Sequence, residues 1–370
     1  MNFFEKIVGD SSAIDIYAKM KKETLPLYLY GAGSLAEAIL RKLDEKGIKL
    51  SGCVTDTGEE SFFGYSVQSM KELKNSIGKG QCNLLLGFAS AYGKKAEIEC
   101  DGFFNSVFVI SNPFDHHVHF DYDFVKKEKE NLSEAFELFA DDYSRECYCA
   151  FINSRIWEDA EYVRDIFIAE IDEFNNDVSH TSEDEVFLDV GAYRGGSISR
   201  FLKSNSDKAK KIIAIEPEDE NFAFLQKYTS QLKQNVELHH VGCYYKKDRL
   251  SFNAEDRYSR LEGEKAGTYI DVDAIDNICR IEDGISMIYL AVATAEKEIL
   301  CGAKNIISKC LPKIIVFMGS AKEELYTIPR LIKDIDDSYD IYLRFQNAMP
   351  SRLFLYAIPR KSKKLLKENI

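Results

Sequence analysis

The chain has 370 residues, 45% of them hydrophobic and 29% charged, which provides apolar material for two cores and excludes a protein dominated by disorder. A formal net charge of −13 argues against nucleic acid as the main partner, because phosphate binding calls for a clustered basic surface and the only basic run is the tail from Arg360 to Lys367. No apolar stretch reaches the roughly 18 residues that cross a bilayer, MNFFEKIVGD lacks the order of a signal peptide, and no cysteine pair has CxxC spacing, so a cytoplasmic protein with reduced, buried thiols at Cys53, Cys82 and Cys243 is expected.

From Leu25, LPLYLYGAGSLAEAILRKLDEKGIKLSGCVTD reads as a short apolar strand, a glycine turn, an amphipathic helix and a second strand ending at Asp56. Leu84–Phe88 and Ser106–Ile110 read as further buried strands. This alternation is that of a doubly wound parallel sheet. In such a half-site Gly31, Gly33 and Ser34 face a phosphate at the helix N-terminus and Asp56 faces a ribose; the same glycines would equally serve tight strand-to-helix packing. For hydride transfer with NAD(P), nothing after Asp56 supplies a recognisable acid/base partner.

Asn112-Pro113 marks a break, and DHHVHFDYDF after it reads as a connector. Its His116, His117 and His119, beside Asp115, Asp121 and Asp123, outline a metal site, but no Cys/His pair at zinc spacing follows and no metal is expected. Asn131 to about Phe174 carries helical periodicity and is expected to form a helical layer on the second domain. The strand and helix alternation then resumes, with strands expected at Val186–Val190, Lys211–Ile215, Val236–Val241, Met287–Val292, Ile314–Met318, Tyr339–Phe345 and Leu353–Ile358, the last two close enough to pair antiparallel. The expected fold class is α/β: two doubly wound Rossmann-like domains, residues 1–112 and 184–370, joined by a connector and helical segment at 113–183.

EVFLDVGAYRGGSISRFL places an apolar strand before Asp189, a turn through Gly191, Gly195 and Gly196, and then a helix. KKIIAIEPEDENFAFLQKY follows with a second strand that ends at Glu216. A glycine turn lets a ligand approach the backbone, and a carboxylate at the next strand end accepts from both ribose hydroxyls, so the pair is a nucleoside-binding arrangement. The turn lacks GxGxxG spacing, which disfavours a pyrophosphate cradle. The bland alternatives are a helix N-cap for Asp189 and a surface charge for Glu216. His239 and His240 should point to opposite faces of their strand. Asp271, Asp273 and Asp276 suggest either a cation site or an ordinary strand-to-helix lead-in.

From Asp184 to Ile358, about half of the chain, these residues resemble the FkbM-type methyltransferases. The likeness rests on FLDVGAYRGGSISRF, AIEPEDENFAFL, the hairpin-like GCYYKKDRLSF, VDAIDNI, and AEKEILCGAKNIISKCLPKIIVF followed by EELYTIP. It implies a class I methyltransferase fold with S-adenosylmethionine as cofactor. The cofactor-binding residues would be Asp189, Gly191, Ala192, Tyr193, Glu216, Gly242 and Cys243. Asp189 and Gly191 would border the methionine part, Glu216 the ribose, and Gly242 and Cys243 the adenine. The first quarter resembles the small Rossmann-type domains at the front of sugar-modifying acyltransferases and of some FkbM-type proteins, with Gly64-Tyr65-Ser66-Val67 as the Gly-x-x-Val that precedes a helix. Tyr143, Ser144 and Arg145 match a segment common ahead of the methyltransferase domain, where they frame an acceptor or pack the helical layer.

Two places depart from that family. Where relatives have Asp-Ile-Glu-Gly-Ala-Glu, this chain reads Ala291-Val292-Ala293-Thr294-Ala295-Glu296, and where they commonly have Tyr-His it has Gly319-Ser320. Arg194 also replaces a frequent aspartate and is expected to alter how the turn meets the cofactor's charged end. Transfer of a methyl group to a hydroxyl needs positioning and removal of the hydroxyl proton, and no catalytic base is assigned from the sequence. The expected function is O-methylation of a small-molecule sugar, nucleotide-sugar or glycan precursor, with the first domain holding the nucleotide portion and a homo-oligomer left open. The alternative is a catalytically degenerate protein of the same fold that binds nucleotide or acts as a scaffold.

Overall fold

In the computed structural model, which describes residues 2–9, 15–58, 61–88, 91–112, 120–166, 172–253, 260–261, 268–292, 295–346 and 352–360, the chain divides into two units. The first comprises Met1–Lys129, Glu146–Glu170 and Phe345–Arg352; the second comprises Glu130–Arg145, Ile171–Arg344 and Leu353–Ile370. Among the described residues no helix is long and apolar enough to cross a membrane.

The first unit is built on strands β1 (Leu27–Tyr30), β2 (Gly52–Thr55), β3 (Ser61–Phe62), β4 (Tyr65–Ser69), β5 (Asn83–Leu86) and β6 (Val107–Phe108). They order as β3-β4-β2-β1-β5-β6, parallel except for the β3–β4 pair. Its helices are α1 (Ile16–Lys22), α2 (Ser34–Glu45), α3 (Met70–Ser76), α4 (Ala91–Asp101) and α5 (Tyr122–Lys127). In α2 the apolar residues Ala36, Ile39, Leu40 and Leu43 recur at helical spacing and share one core with Leu29, Cys53 and Leu85. The expected Gly-x-x-Val is strand β4 entering α3, where Ser69 and Glu72 cap the helix reciprocally.

Helices α6 (Lys129–Leu138) and α7 (Asp142–Ile156) fill the segment expected to be one helical layer on the second domain. The helices form, but from Glu146 onward the chain belongs to the first unit. There the Asn153 side chain accepts from the Val8 N–H at 2.9 Å and donates to the Lys6 carbonyl at 2.9 Å. Periodicity marks an apolar face; it does not say which surface that face will meet.

The second unit continues with β7 (Val186–Val190), β8 (Lys211–Ile215), β9 (Val236–His239), β10 (Gly242–Cys243), β11 (Asp248–Asn253), β12 (Arg260–Leu261), β13 (Thr268–Asp273), β14 (Met287–Leu290), β15 (Lys313–Met318), β16 (Tyr339–Phe345) and β17 (Leu353–Pro359). Its helices are α8 (Gly196–Ser204), α9 (Asp219–Thr229), α10 (Ile275–Ile278), α11 (Glu296–Cys301), α12 (Lys304–Cys310) and α13 (Glu324–Ile335). Seven strands order as β16-β17-β15-β14-β7-β8-β9. The run from β15 to β9 is parallel and β17 is antiparallel to β15. Strands β7 and β17 are buried at every position, so β17 reads as an apolar run and β7 as one broken only by Asp189. Phe187 stacks on Phe201 with ring centroids 4.1 Å apart, and Phe174 meets both edge-on, closing the core on one face of the sheet.

The hairpin expected in GCYYKKDRLSF does not form. In the small sheet of order β10-β13-β11-β12, β13 lies between the two segments, parallel to β10 and antiparallel to β11. The reason is apolar: Ile270 and Val272 alternate inward on β13 and pack with Leu250 and Tyr244.

Arg344 on β16 is 2% exposed. It donates to both carboxylate oxygens of Asp177 at 3.0 Å, to Asp141 at 2.8 Å, to the Ser144 hydroxyl at 3.0 Å and to its neighbour's carbonyl at 2.7 Å. Tyr143 lies under the guanidinium, and Arg145 bonds the Phe139 carbonyl at 2.7 Å, so of the two readings of this tripeptide the structure favours packing.

Candidate functional site

The carboxyl ends of β7, β8 and β14 lie side by side, with Asp189 opposite Tyr289 and Ala214 in register. Immediately after β7 the chain turns: the Gly191 and Ala192 N–H groups both donate to the Ile215 carbonyl at 3.0 Å. Gly191 has φ +77°, and a Cβ there would stand 2.6 Å from Val292 Cγ1. Only glycine suits both the conformation and the approach. Gly191→Ala is therefore expected to destabilise the protein by about 2 kcal/mol, read as a lower urea midpoint; an unchanged midpoint would mean that the turn's backbone relaxes and Val292 moves aside together.

Asp189 is fully buried. Its Oδ2 accepts a hydrogen bond from Ser197 Oγ at the start of α8, and its Oδ1 has no hydrogen-bond partner. Burial pushes the carboxyl up to about 7, against the pull of Ser197 and Arg200 and with the help of Glu216 and Glu173. Beside it, Arg200 Nε bonds Glu173 at 2.9 Å and Nη2 reaches the Tyr289 hydroxyl at 3.3 Å. The sequence does not single out Ser197, Glu173 or Tyr289. Ser197 is the one with a signal, since it lies in the first helical turn after the glycines.

Glu216 follows β8 and is 5% exposed. Its two oxygens accept the N–H groups of Tyr193 at 2.8 Å and Glu218 at 3.0 Å. Burial raises its pKa and these two bonds oppose the rise. Asp189 and Glu216 thus flank one turn, with Ala192 and Tyr193 between them, and neither plain alternative holds: the N-cap of α8 is Gly195, and Glu216 is buried. Gly242 and Cys243 lie buried in β10 of the small sheet, where Gly242 packs on Val272. His240, whose charge would favour an ionised Glu216, follows β9, bonds Asp219 at 3.1 Å and stacks on Phe222 at 4.3 Å. His239 instead bonds Glu237 at 2.8 Å.

Arg194 does not point at the turn's interior. Its guanidinium lies over Phe224 at 4.2 Å, donates to Glu220 at 2.7 Å and bonds Asn221 at 3.0 Å, all on α9. The expected effect on a ligand's charged end is corrected accordingly: a cation at this position finds its counter-charge on the neighbouring helix.

At the next two strand ends, Ala291 and Val292 follow β14 and Gly319-Ser320 follow β15; Ala293 and Thr294 fall outside the described residues. Glu296, the first residue of α11, is fully buried and neither carboxyl oxygen has a hydrogen-bond partner. Glu324, first in α13, accepts from the Gly319 N–H at 3.2 Å and the Ser320 N–H at 3.0 Å. Burial raises both groups: Glu324 to about 7, against the pull of the Ala321, Gly319 and Ser320 backbone groups, and Glu296 well above its ordinary value, where the charge of Glu324 adds to burial.

In the first unit, Gly31 has φ +132° and a Cβ there would meet the Gly87 carbonyl oxygen at 2.6 Å, so close strand-to-strand packing alone demands glycine at this position. Gly33 caps α2 without a side-chain bond and Ser34 is its first residue. The exposed Asp56 accepts a hydrogen bond from Tyr30, whose ring lies against Phe88 at 5.0 Å. Burial pushes the Tyr30 hydroxyl up to about 12.

The remaining expectations resolve locally. His116, His117, His119 and Asp115 lie outside the described residues, whereas Asp121 caps α5 and Asp123 pairs with Lys126. Asp276 accepts the Asn305 and Ile306 N–H groups, each at 2.9 Å, and Asp273 accepts from Ala274 and Asn277, so these carboxylates cap helices. Among the described residues there is no group of three or more His, Cys, Asp or Glu side chains placed to hold a metal ion.

No family model matches the chain, and no curated protein matches it. Among solved structures it is similar to the methyltransferase FkbM from Methylobacillus flagellatus KT, at 18% identity and a TM-score of 0.67 over 93% of this chain and 94% of that one. It is also similar, over 48% of its length, to an rRNA methylase from Streptococcus thermophilus (11% identity, 88% of that chain, TM-score 0.32) and to fibrillarin from Aeropyrum pernix in complex with natively bound S-adenosyl-L-methionine (11% identity, 69% of that chain, TM-score 0.32). The first likeness shows the fold, with the seven-stranded unit a class I methyltransferase fold; the other two are too distant to add to it.

Proposed function

We propose that this protein, whose second unit has the class I methyltransferase fold, binds S-adenosylmethionine at the turn between Asp189 and Glu216 and transfers its methyl group to a hydroxyl of a sugar, nucleotide-sugar or glycan precursor in the cytoplasm. The observation that carries this reading is the orphaned Oδ1 of a fully buried Asp189 beside a glycine turn. A buried carboxylate oxygen without a donor is costly unless a ligand supplies one. The residues fit the cofactor: Asp189 would accept from the ammonium of its methionine part, the Gly191 turn admits it against the backbone, and Glu216 would hold the ribose hydroxyls with the lone pairs that Tyr193 and Glu218 leave free. When bound, the cofactor supplies an activated methyl on a sulfonium centre. The chain's own part is to exclude water and hold the acceptor in line.

In the first unit, Gly31, Gly33, Ser34 and Asp56 would take the nucleotide portion of an activated sugar, with the ribose displacing Tyr30 from Asp56. A second reading has its own support: the neutral Ala291 and Val292, with Gly319-Ser320, leave no acid at the ends of β14 and β15 that faces outward, as in a protein that kept the fold and lost the transfer. Titration calorimetry with S-adenosylmethionine and S-adenosylhomocysteine tests the cofactor site. Saturable one-to-one binding is expected, and a folded sample that binds neither ligand overturns the methyltransferase reading. If binding holds, introducing acids at Ala291 and Ala293 should raise turnover only under the degenerate reading.

A further inference from the structure

We propose that the first unit carries a binding site for a neutral, hydroxyl-rich ligand such as a hexose unit, in a cavity between edge strand β6, helix α4 and the segment from Asp159 to Arg164. The cavity lies wholly within that unit, so the inference stands whether or not the second unit transfers a methyl group.

The cavity exists because part of an edge is left uncovered. The Leu84 N–H donates to the Ser106 carbonyl at 2.9 Å, so in this parallel ladder the backbone groups of Val107 point away from β5. Further along the same edge, the Val109 carbonyl takes the Ala160 N–H at 3.1 Å and the Ser111 N–H donates to the Glu158 carbonyl at 3.0 Å. The covering chain then leaves the edge as the 3-10 turn Ala160–Val163, and among the described residues nothing pairs the N–H or the carbonyl of Val107. One uncovered residue is too little edge for an added peptide strand. The space beside it measures about 410 Å³, within the roughly 300 to 1,000 Å³ of small-molecule sites.

The charged wall decides the class of ligand. Lys95 and Arg164 alternate with Glu99 and Glu161 in a closed ring: Lys95 pairs with Glu161 and lies 3.6 Å from Glu99, and Arg164 pairs with Glu99 and, at 2.8 Å, with Glu161. Lys19 and Asp159 form a further pair at 2.5 Å in the same lining. Three cations are thus matched by three carboxylates, and Lys95 is 7% and Asp159 5% exposed. An ionic ligand would have to break a pair and strand a charge, which is costly at such burial. A hydroxyl avoids this. It donates and accepts at once, so neighbouring hydroxyls of one ligand can bridge an ammonium and a carboxylate that stay paired, and can meet the N–H and carbonyl of Val107. Phe104, Val107 and Phe108 add apolar surface for the carbon face of a sugar ring.

The test is a titration of the isotopically labelled full chain with D-glucose, D-galactose, D-mannose and N-acetyl-D-glucosamine, followed by its amide resonances, with glycine and inorganic phosphate as charged controls. At least one sugar should shift the Val107 amide saturably with a millimolar dissociation constant, and the controls should leave that amide in place. Lys95→Met keeps the stem of the side chain and removes its N–H groups, and should weaken that sugar about tenfold or more. Ser106→Trp fills the cavity from its strand wall and should abolish binding, which decides the matter if Lys95→Met does not fold. A Val107 amide unmoved by all four sugars up to about 50 mM overturns the site, as does a stronger response to glycine or phosphate, which would make the ligand ionic. Shifts confined to Gly33 and Ser34 would put the sugar at the glycine turn, and binding that survives in a folded variant would put it elsewhere; either overturns the proposal.

Discussion

Asp189→Asn is expected to weaken binding of S-adenosylmethionine and S-adenosylhomocysteine about a hundredfold, while leaving the protein folded and, above pH 7, more stable than the wild type. Asparagine keeps the shape and can still accept the Ser197 hydroxyl, so the structural role is preserved. What is lost is the negative charge on the orphaned oxygen, and a charge-assisted bond to an ammonium group is worth about 2 to 3 kcal/mol, with each 1.4 kcal/mol a factor of ten.

The stability change follows from proton linkage. The folded carboxyl is raised from its ordinary 3.8 to about 7, so below about 4 both folded and unfolded states hold the proton and no penalty exists. As pH rises from there to 7 the unfolded state releases its proton first, and the folded state loses stability until its own carboxyl ionises. Asparagine never ionises, so the variant's advantage should grow across that window and then level off. The same titration sets the wild-type affinity, which should fall about tenfold per unit below pH 7 because a cationic ligand prefers the ionised carboxyl. Calorimetry at pH 6, 7 and 8, with thermal melts of both proteins, reads all of this. Undiminished affinity in Asp189→Asn would remove the residue from the cofactor site, and a loss of affinity together with unfolding would point to a purely structural carboxylate.

Arg344→Ala should destabilise the protein by about 3 kcal/mol, and Arg344→Met by less than half of that. The guanidinium is 2% exposed and is held above its ordinary pKa by Asp177 and Asp141, which more than offset its burial. Removing it takes a donor from the Ser144 hydroxyl, the Leu343 carbonyl and Asp141, and empties the space over Tyr143, although Ser144 keeps the Leu343 N–H and Asp141 the Ser144 N–H. Methionine refills most of that volume. Asp177, whose side chain is largely exposed, can then turn to water, so the charge left behind is tolerated. Urea denaturation at pH 7 separates the two variants; equal losses would mean that the ion pairs, not the packing, hold this corner. Asp141 adds a pH signature. Although burial pushes it up, Arg344 and Ser144 hold it below its ordinary 3.8, so its contribution is present above that value and disappears as pH falls through the folded pKa.

Much of the site was legible before any coordinates. A carboxylate ending one apolar strand, a glycine turn, and a second carboxylate at the end of the next strand are brought to one crevice in an open α/β sheet, because parallel neighbours line up successive carboxyl ends. Spacing alone therefore places Asp189, Gly191 and Glu216 around one turn, where the structure also has them. Arg194 was misread because its partners, Glu220, Asn221 and Phe224, sit one helix further on. The burial of Glu296 and Glu324 was invisible for a similar reason: both look like ordinary helix-starting acids, and what covers them lies elsewhere in the chain. The hairpin at GCYYKKDRLSF failed because a local pattern cannot reveal that β13 will enter between its arms.

The sequence by itself determined the α/β class, the two glycine turns and their acids, and the strands of the seven-stranded sheet, because periodicity and turn chemistry act over a few residues and leave their mark there. Only the tertiary structure decided that α7 is shared between the two units, that Asp189 is buried with an unused oxygen, and that Glu296 is buried with neither oxygen hydrogen-bonded. Burial and the meeting of distant charges depend on which surfaces pack together, and that choice is made by the whole chain at once.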